Sequence, residues 1–85
     1  MEEITLDKLG VGGGGVVRSL LMGGDMRRRM IDLGLVEGTY IECVGKSPAG
    51  DPCAYLIRGA VIAIRARDAR GVCISVPREV SDGTY

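Results

Sequence analysis

Three consecutive arginines, Arg27–Arg29, are the residues whose chemistry is most distinctive in this sequence. Guanidinium groups pair with phosphates and carboxylates, so the run predicts contact with an anionic ligand or an acidic partner. The neighbouring apolar residues recur at the spacing of one helical face: Met26, Met30 and Leu33. If these apolar residues pack on the core, helical spacing places Arg27 and Arg28 on the side of the helix that faces away from it. The alternative is a solvated helix face on which Asp25 and Asp32 are local charge partners, and the sequence leaves both interpretations open.

The cysteines and the absence of histidine limit the reactive chemistry. Cys43, Cys53 and Cys73 are odd in number and form no CxxC pair, so neither a disulfide framework nor a zinc ribbon is indicated. Cys43 and Cys53 fall on the inward faces of predicted strands, where cysteine acts as a small hydrophobe, and Cys73 is predicted to face outward. Without histidine, Ser-His or Cys-His catalysis is excluded. We therefore predict no enzyme, no cofactor and no metal ligand.

A glycine-rich stretch, Gly10–Gly15, resembles a phosphate-binding loop only superficially. Such a loop leads into a helix N-terminus, whereas a strand-like segment, Val16–Leu21, follows here. The pattern favours a hairpin turn. Similarly, Asp51 precedes Pro52 in a way typical of a turn former rather than of a catalytic carboxylate.

Composition narrows the class of protein further. The 85 residues suffice for one domain, and eleven basic residues balance eleven acidic ones. A net charge of zero argues against a dedicated nucleic-acid binder. We find no stretch typical of a signal peptide or a membrane span, and three unpaired cysteines are typical of a reducing compartment, so we expect a cytoplasmic protein.

The predicted elements are short strands and one helix. The helix is expected from Asp25, whose carboxylate would cap it, to Leu33, with Gly34 as its stop. The expected strands are Val16–Leu21, Thr39–Val44, Cys53–Ile57, Ala60–Ile64 and Val72–Val76, with a helical turn over Arg67–Arg70. About five strands with frequent glycine turns predict a mainly β protein, a small barrel with the helix inserted between strands. We expect the domain to span residues 1–76 and a tail to span residues 77–85.

Leu56 and Val61 fall on the outward side of two adjacent predicted strands, near one tight turn at Arg58-Gly59. Two exposed aliphatic side chains there predict a small apolar patch for docking or self-association. The alternative is packing beneath the tail or a loop.

Several segments in order resemble the ferrous iron transport protein A (FeoA) family. They are Leu6-Asp7-Lys8-Leu9-Gly10-Val11-Gly12, the stretch from Gly23 to Leu35, Gly38-Thr39, the stretch from Ser47 to Pro52, and Arg58-Gly59 before Ile62-Ala63-Ile64-Arg65. The resemblance covers about Ile4 to Val76. It implies an SH3-like β-barrel and a role as cytosolic accessory to FeoB, the membrane ferrous iron transporter with a GTPase domain. Glu37 and Ala49 depart from the residues common in the family, proline and leucine.

We predict that the protein acts by binding the cytosolic part of an FeoB-type transporter. The predicted contact residues are Arg27, Arg28, Pro48, Asp51, Leu56 and Val61. An alternative is a metal-ion-binding regulatory module related to the C-terminal SH3-like domain of iron-dependent repressors. A small homo-oligomer is a third possibility.

Overall fold

The computed structural model describes residues 1–77. The strands are β1 (Glu2–Thr5), β2 (Gly14–Leu20), β3 (Tyr40–Lys46), β4 (Cys53–Ile57), β5 (Ala60–Ile64) and β6 (Val72–Val76). The helices are α1 (Gly24–Asp32), the single-turn α2 (Ala66–Ala69) and a 3₁₀ turn, Leu6–Lys8. Apart from Pro77, the predicted tail lies outside the described residues.

All strands join one antiparallel sheet in the order β1-β6-β2-β3-β4-β5. The mainly β fold with a helix between strands is therefore confirmed, but with six strands rather than five. The predicted closure into a barrel is wrong for the hydrogen bonding of the described strands, because β1 and β5 are the two edges of the sheet and do not pair with each other. Strand β1 escaped prediction because its first residues are acidic and exposed, so it lacks the alternation that marks a strand. It pairs with β6 alone, placing Ile4 opposite Ile74.

The core fills the inner face of this sheet. Its buried hydrophobic members are Leu6, Leu9, Val17, Met30, Leu35, Ile41, Cys43, Tyr55, Ile57, Ile64, Ala69, Val72 and Ile74. Alternate residues of each strand point inward, so the remaining residues form an outer sheet face. Within residues 1–77, no helix has both the length and the apolar character needed to cross a membrane.

Helix α1 starts one residue earlier than predicted. Its N-cap is Gly23, with no side-chain cap, so the prediction that Asp25 caps the helix is wrong. Glycine is itself an accepted N-cap, and Asp25 lies in the first turn, where a carboxylate favours the helix dipole.

The end of α1 confirms the predicted glycine stop. Gly34 has φ +103°, its N–H donates to the Ile31 carbonyl at 2.9 Å, and the Leu35 N–H donates to the Met30 carbonyl at 3.0 Å. These two bonds form a Schellman motif, which needs a left-handed residue at this position. The motif turns the chain so that Leu35 enters the core.

The β4–β5 hairpin has the predicted bounds. Arg58 and Gly59 both have positive φ, +52° and +84°, as a two-residue hairpin turn requires. This turn sets the register in which Leu56 lies directly opposite Val61.

Only the first part of the glycine-rich stretch forms the predicted turn. Strand β2 begins at Gly14, so Gly14 and Gly15 belong to the sheet, contrary to prediction. Gly12 and Gly13 precede it and hold the chain against β3. There, the Gly12 N–H donates to the Cys43 carbonyl at 2.8 Å and the Cys43 N–H donates to the Gly13 carbonyl at 2.9 Å.

Candidate docking surface

The outer side of the β4–β5 hairpin carries an apolar pair. Leu56 and Val61 are cross-strand partners, Val61 is 64% exposed, and Leu56 is half-buried. The next outward pair along the hairpin is Ala54 opposite Ala63. The structure therefore brings the two predicted aliphatic residues together on one face of the sheet.

Tyr40 extends this face and was not among the predicted contact residues. It lies on β3, is 57% exposed, and shares with Leu56 an open cleft of about 530 Å³ near the Arg58-Gly59 turn. Val44, on the same strand, is 41% exposed. We call the four residues Tyr40, Val44, Leu56 and Val61 the outer-sheet surface. The sequence could have indicated Tyr40, because it alternates with the inward-facing Ile41 on a predicted strand that pairs with the strand of Leu56.

A carboxylate lies within this surface. Glu42 on β3 is the direct cross-strand partner of Leu56, and it is half-buried. The surface thus carries a negative charge between Tyr40 and Val44, beside the apolar pair Leu56 and Val61. A partner that buries Leu56 must also accommodate Glu42.

The three arginines of α1 point to different neighbours. Arg27 donates from Nη1 to the Leu20 carbonyl at 3.2 Å and lies in a cleft against β2. Glu37 lines both this cleft and the Tyr40 cleft, so the two clefts adjoin. Arg28 is exposed and lines neither cleft, whereas Arg29 faces the β5–α2 corner.

The predicted loop residues lie elsewhere. Asp51 accepts a hydrogen bond at Oδ1 from the Ala66 N–H at 2.8 Å, so its carboxylate holds the first residue of α2. Pro48 is exposed in a loop stabilised by the Gly50 N–H donating to the Ser47 carbonyl at 2.8 Å. The structure therefore brings neither Pro48 nor Asp51 into the clefts that contain Arg27 or Leu56, and their role in docking stays a prediction.

The cysteines are distributed over the sheet. Cys43 is buried and Cys53 half-buried on the core side, as predicted. Cys73 is half-buried rather than fully outward-facing, because β1 lies beside it and its thiol donates to Glu3 Oε1 at 3.5 Å. Within residues 1–77, no three Cys, Asp or Glu side chains are grouped so that they could hold a metal ion.

Burial alters the acidity of three groups. Burial raises the pKa of the Cys43 thiol, and burial together with the hydrogen bond to Glu3 raises that of Cys73. Burial also raises the pKa of Tyr55, whose hydroxyl donates to the Leu6 carbonyl at 3.5 Å. These groups keep their protons in the folded chain at a pH where the unfolded chain loses them.

Folding stability should therefore fall as the pH rises above about 9, the range in which an unfolded thiol ionises. The unfolded state then binds fewer protons than the folded state, so the free energy of unfolding decreases with pH. Urea unfolding over a pH series measures this slope. The Cys43→Ala variant should show a shallower slope, and Cys73 and Tyr55 should account for the remainder. A stability that stays constant or rises across this range would contradict the prediction.

Comparison with known proteins identifies chains that this one resembles in sequence and fold. The model of the FeoA domain family matches residues 4–76. The chain is 28% identical to the FeoA-like protein from Clostridium acetobutylicum, covering 100% of this chain and 99% of that one with a TM-score of 0.84. It is 28% identical to the FeoA protein from Chlorobium tepidum, covering 95% and 76%, with a TM-score of 0.82. The comparison with curated proteins gave no match.

Two further structures define the fold. Stenotrophomonas maltophilia FeoA, solved in complex with zinc and described as a procaryotic SH3 domain protein, is 30% identical. The alignment covers 85% of this chain and 89% of that one, with a TM-score of 0.75. The T. acidophilum IdeR structure is 17% identical over 91% of this chain and 35% of that one, with a TM-score of 0.78, so it shares the fold alone. The architecture is therefore SH3-like.

Proposed function

The chain belongs to the FeoA domain family, and on that premise we propose that it binds the cytosolic part of an FeoB-type membrane GTPase transporter. In this proposal it is a cytoplasmic accessory of ferrous iron transport that works through contact rather than catalysis. The Stenotrophomonas maltophilia relative is described as a candidate ferrous iron transport activating factor, which supports the same process for this chain.

The observation that carries the proposal is the outer-sheet surface. Tyr40, Leu56 and Val61 present an aromatic ring and two aliphatic side chains on one open face of the sheet. Tyrosine is enriched among the residues that dominate binding energy at interface centres, and Leu56 and Val61 add apolar area beside it that a partner would remove from water. Burial of such area yields about 25 cal/mol per Å².

Charged residues beside the surface would orient the partner. Arg27 lies in the adjoining cleft, and Arg28 is exposed on the same helix. Such charges at the rim of an interface act mainly on the association rate. We assign Arg27 and Arg28 this role, with Leu56 and Val61 at the centre.

Calorimetric titration of the chain with the purified cytosolic region of an FeoB-type transporter tests the proposal. We expect saturable binding whose enthalpy becomes more negative as the temperature rises across three measurements, because burial of apolar surface gives a negative heat-capacity change. Sedimentation of the chain alone at two concentrations is the control, since self-association through the same surface would compete. Absence of binding by calorimetry and by pull-down would refute the proposal.

A further inference from the structure

A second cleft lies between α1 and the β5–α2 corner. It encloses about 360 Å³, and three arginines lie along it: Arg29 on α1, Arg65 at the N-cap of α2, and Arg67 within α2. Its apolar lining includes Met30 and Ile64, each only 3% exposed. We call this region the basic cleft. It shares no lining residue with the Tyr40 cleft, so it does not depend on the proposed function.

The guanidinium groups of the basic cleft are available to a ligand. Asp68 is the one carboxylate residue among the side chains that line the cleft, against three arginines. Within residues 1–77, the structure shows one ion pair, between Arg70 and Asp7, which does not involve the arginines of the cleft. In the same residues, the side chains of Arg29, Arg65 and Arg67 make no hydrogen bond. Even when the Asp51 carboxylate on the neighbouring Ala66 N–H is counted with Asp68, the three arginines leave the cleft with an excess of positive charge, although the whole chain is neutral.

The residues that line the basic cleft indicate the chemical class of ligand that would fit it. Arginine pairs with carboxylates through two parallel hydrogen bonds, which favours an acidic ligand. Met26 and Met30 of α1, together with Leu33 at its C-cap, offer an adaptable apolar floor, because methionine repacks around side chains of varied shape. A small inorganic anion would leave that floor uncovered.

We propose that the basic cleft binds an acidic peptide segment of a protein partner, with an aliphatic side chain of that segment seated between the arginines. Nucleic acid fits less well, because the net charge of the chain is zero and none of the residues that line the cleft is aromatic, as base stacking would require.

The probe is a short synthetic peptide that repeats Glu-Glu-Leu, titrated into the full chain while backbone amide NMR signals are recorded. We expect saturable shifts centred on Ala63, Arg65 and Arg67. The double variant Arg29→Glu with Arg67→Glu should bind about tenfold more weakly, since two charge pairs become repulsive. Thermal unfolding of the variant checks that the fold is retained.

A matched variant separates this site from general attraction of charge. Lys8→Glu with Lys46→Glu changes the net charge equally but lies outside the basic cleft, so it should bind the peptide within about twofold of the parent. A Ser-Ser-Leu repeat, inorganic phosphate and anionic phospholipid vesicles serve as reference ligands, and each should shift the same amides far less.

Four outcomes would overturn the proposal. They are the absence of shifts, shifts centred away from the cleft, equal weakening in both double variants, and equal responses to phosphate or vesicles. None of these outcomes bears on the titration with the transporter, because Leu56 and Val61 are unchanged in every variant used here.

Discussion

Replacing Leu56 by lysine and Val61 by aspartate is expected to weaken binding to the cytosolic region of an FeoB-type transporter by about a hundredfold or more. Each aliphatic side chain contributes about 1.5–3 kcal/mol when it is fully removed from water, and 1.4 kcal/mol corresponds to a tenfold change. Leu56 is already half-buried and therefore contributes less than this, but the charges introduced at both positions add a desolvation cost, so lost burial and desolvation together account for the expected loss. Titration calorimetry with the double variant measures it.

The choice of charges follows from the register of the sheet. Leu56 faces Glu42 on one side and Val61 on the other, so aspartate at both positions would place like charges directly opposite one another. Lysine at position 56 is instead opposite two carboxylates, which favours the folded sheet. The double variant also leaves the net charge unchanged, so an altered affinity reflects lost apolar contact.

A single exposed aliphatic residue elsewhere provides the control. Leu21 is 65% exposed, nearly the same as Val61 at 64%, and it does not belong to the outer-sheet surface. Leu21→Asp should therefore leave binding close to that of the parent, whereas Val61→Asp should weaken it. Equal effects of these two variants, or parental affinity of the double variant, would contradict the assignment of the surface.

The hairpin was predictable from the sequence because everything that defines it is local. Alternation along Cys53–Ile57 and Ala60–Ile64 and the Arg58-Gly59 turn fix the bounds, the register and the outward direction of Leu56 and Val61. These features need no knowledge of the rest of the chain.

The surroundings of the α1 arginines could not be predicted from the local sequence pattern. Helical spacing correctly separates Arg27 and Arg28 from the apolar stripe, but the neighbours of each guanidinium depend on how α1 packs. Arg29 meets Arg65 and Arg67 only because β5 and α2 fold back beside α1. The basic cleft therefore arises from contacts between residues far apart in sequence, which composition and periodicity do not encode.

Strand β1 and the glycine stretch were misjudged for a related reason. An edge strand paired on one side, such as Glu2–Thr5, has no need of alternating apolar residues. Consecutive glycines usually mark a turn, yet Gly14 and Gly15 lie in the sheet, and at Gly15 the backbone of β6 comes too close for a side chain. That requirement is visible only when the neighbouring strands are in place.

Gly15→Ala is expected to lower the free energy of unfolding by about 2 kcal/mol, within the usual cost of overpacking. The added Cβ would lie 2.8 Å from the Ser75 carbonyl oxygen and 3.0 Å from Val76 Cγ1. Because the first of these atoms is backbone, β2 and β6 must separate to admit the methyl group. For a domain of this size the loss is a large share of the total stability, and urea unfolding measures it.

Gly14→Ala is the matched control, since it makes the same change one residue earlier in the same strand. Its Cβ would overlap the Tyr40 hydroxyl and ring edge, which belong to an exposed side chain that can rotate away. We expect a stability loss below about 1 kcal/mol, because only a flexible side chain must move. The displaced ring would also disturb the outer-sheet surface, so Gly14→Ala should weaken transporter binding while Gly15→Ala mainly lowers stability. A larger stability loss for Gly14→Ala than for Gly15→Ala would show that the contact between β2 and β6 is not what requires glycine at position 15.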